Sequence, residues 1–381
     1  MKNRYILQLV CYSPKIYAGL DKFFVLLTKK LRTKGITPVY IYSETMDAVP
    51  QIQVDIEAAG GIVELMPSDG KWAIIKSIRG FYKKYHPELV DVHFVPFVKA
   101  YAALLSRLYG MKHITHIHSL IANVTPHEYV KQKGIIKRIL LGVNYAFLNT
   151  CGKVICVSRA IERQFNEWAY GDKKNIETLY LGTDLTPSKL TKQQARKKLG
   201  LSQDDILFVN ISAKEELKSI DRIIESLDHG KFVHIGGLRN DNEVNKRYEN
   251  QLISLVKNLK KEQQVIWLGK RNDIKDILPA FDVYVHPSSS EGLPVSLMEA
   301  ASAGLPLIGT DVGGIPELIK HEKNGLLLKY GDWQTLHDDM ELLWENFDLR
   351  KQYGDKARKI VSCEFDMDKQ TDKLIAEYGL C

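Results

Sequence analysis

Short apolar runs rich in β-branched residues alternate along this chain with longer stretches whose apolar positions recur every three or four residues. In the first half the runs are Tyr5 to Val10, Val39 to Tyr42, Ile62 to Leu65, Leu89 to His93, Ile114 to Ile117 and Val154 to Val157. Between the first two, Leu20, Phe23, Phe24, Leu27 and Leu31 keep helical spacing, and Gly35 is placed to end that helix. Strands that alternate with helices predict a mostly parallel sheet wrapped by helices. A second series follows Gly182 to Ser188, a linker-like segment of Gly, Pro and small polar residues. Its runs are Ile206 to Ile211, Phe232 to Ile235, Val265 to Leu268, Val283 to His286 and Leu307 to Ile308. The chain therefore reads as α/β, with doubly wound domains over residues 1–184 and 185–365 and a last helical segment over 366–381. In that segment Leu374, Ile375 and Tyr378 share one helical face behind Asp366, an expected N-cap. A ligand shared by two such sheets is expected at their carboxyl ends, in a cleft between the domains.

Composition narrows the class. A chain of 381 residues is long for one hydrophobic core, which agrees with two domains. No apolar run reaches the eighteen or so residues that span a bilayer, so neither secretion nor membrane insertion is expected. The cysteines Cys11, Cys151, Cys156, Cys363 and Cys381 are scattered without metal or redox spacing, as in a reducing cytoplasm. Charge is uneven: residues 1–180 carry 25 Lys and Arg against 14 Asp and Glu, while the rest of the chain is net acidic. A basic half suits nucleic acid, an anionic membrane or a phosphorylated acceptor, or is simply a solvated surface. No zinc finger, helix-turn-helix or RNA-binding aromatic signature accompanies it, so nucleic acid is not expected.

The densest chemistry lies in residues 288–319, SSSEGLPVSLMEAASAGLPLIGTDVGGIPELI. Pro294 suits the first position of a helix, where its missing N–H leaves nothing unpaired. The backbone donors of Gly292, Leu293, Val295 and Ser296 would then face outward at a positive helix end, a seat for a diphosphate. Glu291 precedes the helix and Glu299 lies inside it, so the two carboxylates are too far apart to act on one atom. They suit hydroxyls at two separate points of a long polyol ligand.

This EG-x-P-x-x-x-x-EA-x-x-x-G-x-P frame resembles the retaining nucleotide-sugar glycosyltransferases of family 4. The resemblance implies the GT-B fold, two Rossmann-like domains with a C-terminal helix returning to the first. It implies that Glu291 contacts the donor hexose and Glu299 the nucleotide ribose, with Gly292, Leu293, Pro294 and Val295 beside the donor. In ISAKEELKSID, Lys218 matches the lysine of the pair that clamps the donor pyrophosphate, while its arginine partner falls on Ala213. Lys214 is the candidate replacement for that charge. Of two glycines expected after the first strand, Gly19 carries over and the other position is Ala18. His118 in THIHSL matches a histidine that touches the donor sugar.

His113, His116 and His118, with Asp91 and His93, raise the question of a metal. Strand alternation sends His113 to the face opposite His116 and His118, so no compact ligand set is evident. Asp366-Met-Asp368 reads as a charged helix start. No metal and no cofactor are expected, the nucleotide diphosphate sugar being a co-substrate.

The implied activity moves a hexose from a UDP-sugar to a hydroxyl of a glycan acceptor, lipid-linked in this reading. The alternatives are a catalytically impaired relative serving as an interaction subunit, and an epimerase on the same architecture. Residues 127–148 set Lys131, Lys133, Lys137 and Arg138 beside Tyr129, Val130, Ile135 and Ile136, a mixture suited to an anionic membrane surface. The competing reading makes Ile139 to Leu148 a core helix with a wet basic end.

Overall fold

The computed structural model describes residues 3–11, 19–43, 51–67, 70–94, 96–120, 126–171, 173–238 and 242–380. They form two compact units, Met1–Leu181 with Asp368–Cys381, and Gly182–Met367.

In the first unit, strands β1 (Arg4–Leu9), β2 (Ile36–Ser43), β3 (Ile62–Met66), β4 (Leu89–Val92), β5 (Lys112–Ile117), β6 (Lys153–Cys156) and β7 (Ile176–Thr178) form one parallel sheet. Its order is β3-β2-β1-β4-β5-β6-β7. The helix Gly19–Thr33 packs Phe23, Phe24, Leu27 and Leu31 inward, and Gly35, at φ +72°, turns the chain back into β2. Leu7, Leu9, Val39, Ile41, Val90 and Val92 join the helices of one face in a shared core. Helices on both faces bury the strands on both sides, which is why they read as continuous apolar runs.

The terminal helix Met367–Tyr378 belongs to this unit and begins directly after Asp366. It buries Leu374, Ile375 and Tyr378. Lys30 meets Asp368 at 2.9 Å and Asp372 at 2.7 Å. Such exposed pairs add little, so the apolar face holds this helix.

The second unit repeats the plan with β8 (Leu207–Ile211), β9 (Lys231–Ile235), β10 (Val265–Trp267), β11 (Val283–His286), β12 (Leu307–Thr310) and β13 (Gly325–Leu328), in the order β10-β9-β8-β11-β12-β13. Asp282 pins the entrance of β11 to β8. Its Oδ2 accepts from the Leu207 amide at 2.8 Å and from the buried Arg196 guanidinium at 2.7 Å. The remaining guanidinium donors reach the carbonyls of Ala280, Ser202 and Gln203. A charge this deep persists because it is paired with a carboxylate and four of its five N–H donors are matched.

Strand order reverses between β1 and β4 in one unit and between β8 and β11 in the other. At such switch points neighbouring connections leave to opposite faces, opening a crevice at the carboxyl ends. β7 and β13 fall outside the strands expected from the sequence. Pro294 precedes the helix Val295–Ser302 as its N-cap residue, one position earlier than expected.

Candidate functional site

The crevice of the second unit lies at the ends of β8 and β11. It is a pocket of about 370 Å³ lined by Ser212, Ala213, Glu215 and Lys218 on one side and by His286, Glu291 and Leu293 to Ser296 on the other. Glu291 is its most constrained group. Oε1 accepts from Lys218 Nζ at 2.6 Å and lies 2.7 Å from His286 Nε2. Burial alone would push this carboxyl up, but the charges of Lys218 and His286 and their hydrogen bonds outweigh it and hold it near about 2. With both donors on Oε1, Oε2 has no partner among the described residues and remains an acceptor for a ligand hydroxyl.

Local backbone builds the arrangement. Lys218 ends a single 3₁₀ turn, Glu216–Lys218, and Ser219 follows in the left-handed region at φ +50°, re-aiming the chain into the next helix. The amide of Ser289 donates to the Leu217 carbonyl at 2.8 Å, tying that turn to the loop that carries Glu291. From behind, Gly313 approaches so closely that a Cβ there would stand 1.8 Å from the Glu291 carbonyl oxygen. Gly313 is thus a direct support of Glu291.

The amides of Gly292, Leu293, Val295 and Ser296 find no backbone acceptor among the described residues. They stand at the positive end of the helix Val295–Ser302. Pro294 separates them without adding a donor. Glu299 is half-buried one turn further on. Burial, and behind it the charges of Glu291 and Glu299, pushes the Tyr284 phenol up, so both carboxylates act on one buried ring.

Tyr284 and His286 are site residues that the sequence reading took only as strand. Tyr284 donates to Ser296 Oγ at 2.7 Å and reaches the Ile211 carbonyl at 3.3 Å, locking the first helical turn to the end of β8. The available signal was period two: residues 284 and 286 of DVYVH share a face. Lys214 is placed elsewhere. Its Nζ pairs with Glu249 at 2.6 Å and lies 4.7 Å over the Trp267 ring, away from the pocket lining. Ala213 does line the pocket.

In the first unit, the β1–β4 switch point carries Gln8, Asp91 and His93, with His116 and His118 from the end of β5. Gly19 opens the helix that follows β1; residues 12–18, with Ala18, lie outside the described residues. The expectation that these histidines form no compact set is corrected. β4 and β5 pair with Val92 opposite Thr115, so His93 arrives beside His116, and alternation adds His118. Ring nitrogens of His93, His116 and His118 lie within 4.8 Å of one another, close enough to hold a metal ion. Several of their nitrogens have partners: His93 Nδ1 is 3.0 Å from His118 Nε2, His93 Nε2 is 2.9 Å from Gln8 Oε1, and His116 Nε2 is 3.2 Å from Asp91 Oδ2, while His116 Nδ1 has none among the described residues.

With this geometry in view, two family models match the chain: "Glycosyltransferase Family 4" over residues 17–187 and "Glycosyl transferases group 1" over residues 191–360. The chain belongs to the family 4-like glycosyltransferases. It is 26% identical over 377 residues to the putative teichuronic acid biosynthesis glycosyltransferase TuaC of Bacillus subtilis, covering 93% of this chain and 85% of the relative. It is also 26% identical over 315 residues to the UDP-Gal:alpha-D-GlcNAc-diphosphoundecaprenol alpha-1,3-galactosyltransferase of Escherichia coli, covering 79% and 78%. Its fold matches that of HepE from Anabaena, solved with UDP-glucose, at a TM-score of 0.80 over 98% of this chain and 99% of that one, with 20% identity. The two parallel sheets and the returning helix are the GT-B fold, and the activity of this family 4-like chain is glycosyl transfer.

The Glu291 carboxyl should titrate near 2 in carbon-detected NMR of labelled glutamate. Because its pKa is depressed in the fold, its contribution to stability is complete above the ordinary 4.5 and is lost as pH falls toward 2. Lys218→Met should raise that titration point. An unchanged titration in the variant would remove Lys218 as the compensating charge.

Proposed function

We propose that this glycosyltransferase moves a hexose from a UDP-sugar to a hydroxyl of a lipid-linked glycan, with retention of anomeric configuration, in bacterial surface polysaccharide synthesis. The observation that carries the reading is the convergence of Lys218, Glu291 and the amides of Leu293, Val295 and Ser296, which have no backbone acceptor among the described residues, on one pocket at the β8–β11 switch point. The UDP donor is supported by the HepE complex with UDP-glucose. The lipid-linked acceptor is supported by the relative whose name includes a diphosphoundecaprenol-linked GlcNAc.

In this reading the departing diphosphate gathers negative charge, and Lys218 with the amides of Gly292 to Ser296 stabilises it where it forms. Glu291, fixed at Oε1, offers Oε2 to a hexose hydroxyl, and Glu299 accepts from the ribose. His118 touches the sugar. No side chain acts as nucleophile; the leaving phosphate takes the acceptor proton on the same face. Ala213 in the pocket favours one alternative, an impaired relative. That alternative fails if the purified protein releases UDP from a donor.

Lipid attachment has its own support. On the helix Ile135–Cys151, Ile135, Ile136, Ile139, Leu140 and Val143 follow one another along a face and are exposed, Ile136 at 71% and Leu140 at 63%. This exposed stripe supports the surface reading, and its neighbours Lys131, Lys133 and Lys137 are exposed as well, while Gly142 and Leu148 of the same helix are buried. Arg138 does not belong to that surface. It is buried, donating to the Trp168 carbonyl at 2.9 Å and lying over the rings of Trp168 and Tyr170. Each lysine near an anionic bilayer contributes about 1 kcal/mol, and the aliphatic stripe enters the headgroup boundary. Among the described residues no helix is long and apolar enough to cross a membrane, so attachment is peripheral in this reading.

Glu299→Ala should weaken binding of bare UDP in calorimetry, while Glu291→Ala leaves it within about threefold and abolishes transfer from a UDP-hexose. Equal losses of UDP affinity in both variants would overturn these roles.

In vesicle sedimentation the protein should bind anionic more than neutral vesicles, and high salt should weaken binding. Changing Lys131, Lys133 and Lys137 to Gln should release it, as should Ile136→Asp with Leu140→Asp. Equal binding to both vesicle types would leave a soluble acceptor.

A further inference from the structure

Three histidines from neighbouring strands meet at the carboxyl ends of β4 and β5, and the groups behind them decide which ring nitrogens face one another. Tyr378 lies 2.7 Å from the charged Asp91 carboxylate and donates to it, so the phenol oxygen accepts from Gln8 Nε2 at 2.8 Å. Gln8 Oε1 is thereby turned to His93 Nε2 at 2.9 Å, which places the proton on that nitrogen. Burial keeps His93 neutral, so its Nδ1 carries a lone pair, aimed at His118 Nε2 3.0 Å away. His116 holds Asp91 Oδ2 at 3.2 Å through Nε2 and buries Nδ1 with no partner among the described residues. A buried nitrogen without a partner is costly unless a ligand takes it. One nitrogen from each of the three rings lies within 4.8 Å of the other two. His93 and His116 are buried, whereas His118 is part exposed and leaves a way in from solvent.

We propose that His93, His116 and His118 bind a zinc ion, and that zinc bound there blocks transfer by occupying His118. Imidazoles suit borderline ions such as Zn²⁺, whereas Mg²⁺ and Ca²⁺ prefer oxygen. Ligand nitrogens of a tetrahedral zinc stand roughly 3.3 Å apart, so the His93–His118 pair at 3.0 Å already fits. The proton these two rings share moves to His118 Nδ1, and the His116 ring tilts off its stack on His93, now at 4.6 Å and 23°. Gln8 and Asp91 stay on the Nε2 atoms of His93 and His116 as the acceptors that orient metal-bound histidines. Asp91 also supplies negative charge against Lys99, whose Nζ is held on the His116 carbonyl at 2.6 Å. The block on transfer rests on the reading that His118 touches the sugar; the metal site does not.

Histidine-selective ¹⁵N NMR of the full protein, titrated with zinc chloride, tests the site without substrate. The resonances of His93 Nδ1, His116 Nδ1 and His118 Nε2 should move together to metal-bound positions while the remaining histidines stay in place. Movement confined to other histidines, or none at a small excess of zinc, overturns the site. Asp91→Asn, checked for folding by thermal melting, should weaken zinc binding in calorimetry on the order of ten- to a hundredfold, the usual effect of removing a partner behind a metal-bound histidine. His116→Gln removes a ligand and should weaken it at least as much. Native zinc affinity in either variant overturns the site as well. Zinc should lower transfer by the native protein, EDTA should restore it, and half-inhibition of His116→Gln should need on the order of tenfold more zinc. Undiminished transfer at a zinc concentration that saturates the histidine shifts overturns the block. The histidine shifts together with no transfer from any UDP-sugar, with or without zinc, would uphold the site and refute the proposed reaction instead.

Discussion

A carboxylate taken out of water must be matched by positive charge and hydrogen bonds or it does not stay ionised, and Glu291 depends on that rule. Lys218 and His286 meet on one of its oxygens, which holds the charge and leaves the other oxygen to the pocket. Much of the second unit's local structure serves this contact. The 3₁₀ turn and the left-handed Ser219 present the lysine, period two of β11 presents the histidine, and Gly313 admits the supporting turn against the glutamate backbone. The first unit solves the same problem with Asp91, ringed by His116 and Tyr378 at its own switch point. Each sheet thus puts one compensated carboxylate where strand order reverses.

The parallel sheets were legible because strands buried on both faces are written as uninterrupted β-branched runs. The two that were not legible, Ile176–Thr178 and Gly325–Leu328, are both edge strands. One is three residues with a glutamate in the middle, and the other is a leucine run without β-branching, so neither carries a strand signal of its own. The terminal helix was legible from the spacing of Leu374, Ile375 and Tyr378. Its hydrogen bond to Asp91 was not, since nothing local in either segment refers to the other.

At the site, the motif gave Glu291, Lys218 and the helix entry, because their spacing is local. Three placements needed the third dimension. Lys214 is one residue beyond a pocket position, yet its side chain is drawn to Glu249 and the Trp267 face. Arg138 sits in a basic run but turns inward to Trp168. The histidines converge across paired strands, a relation set by register between β4 and β5, which sequence spacing within one strand does not contain.

The central claim is that the charges gathered around Glu291 form the seat of a nucleotide diphosphate. Backbone amide NMR of the perdeuterated protein, titrated with UDP, tests it most directly. The account predicts shifts concentrated at Gly292, Leu293, Val295, Ser296 and Lys218. Shifts that leave these five amides unmoved while others respond would contradict it.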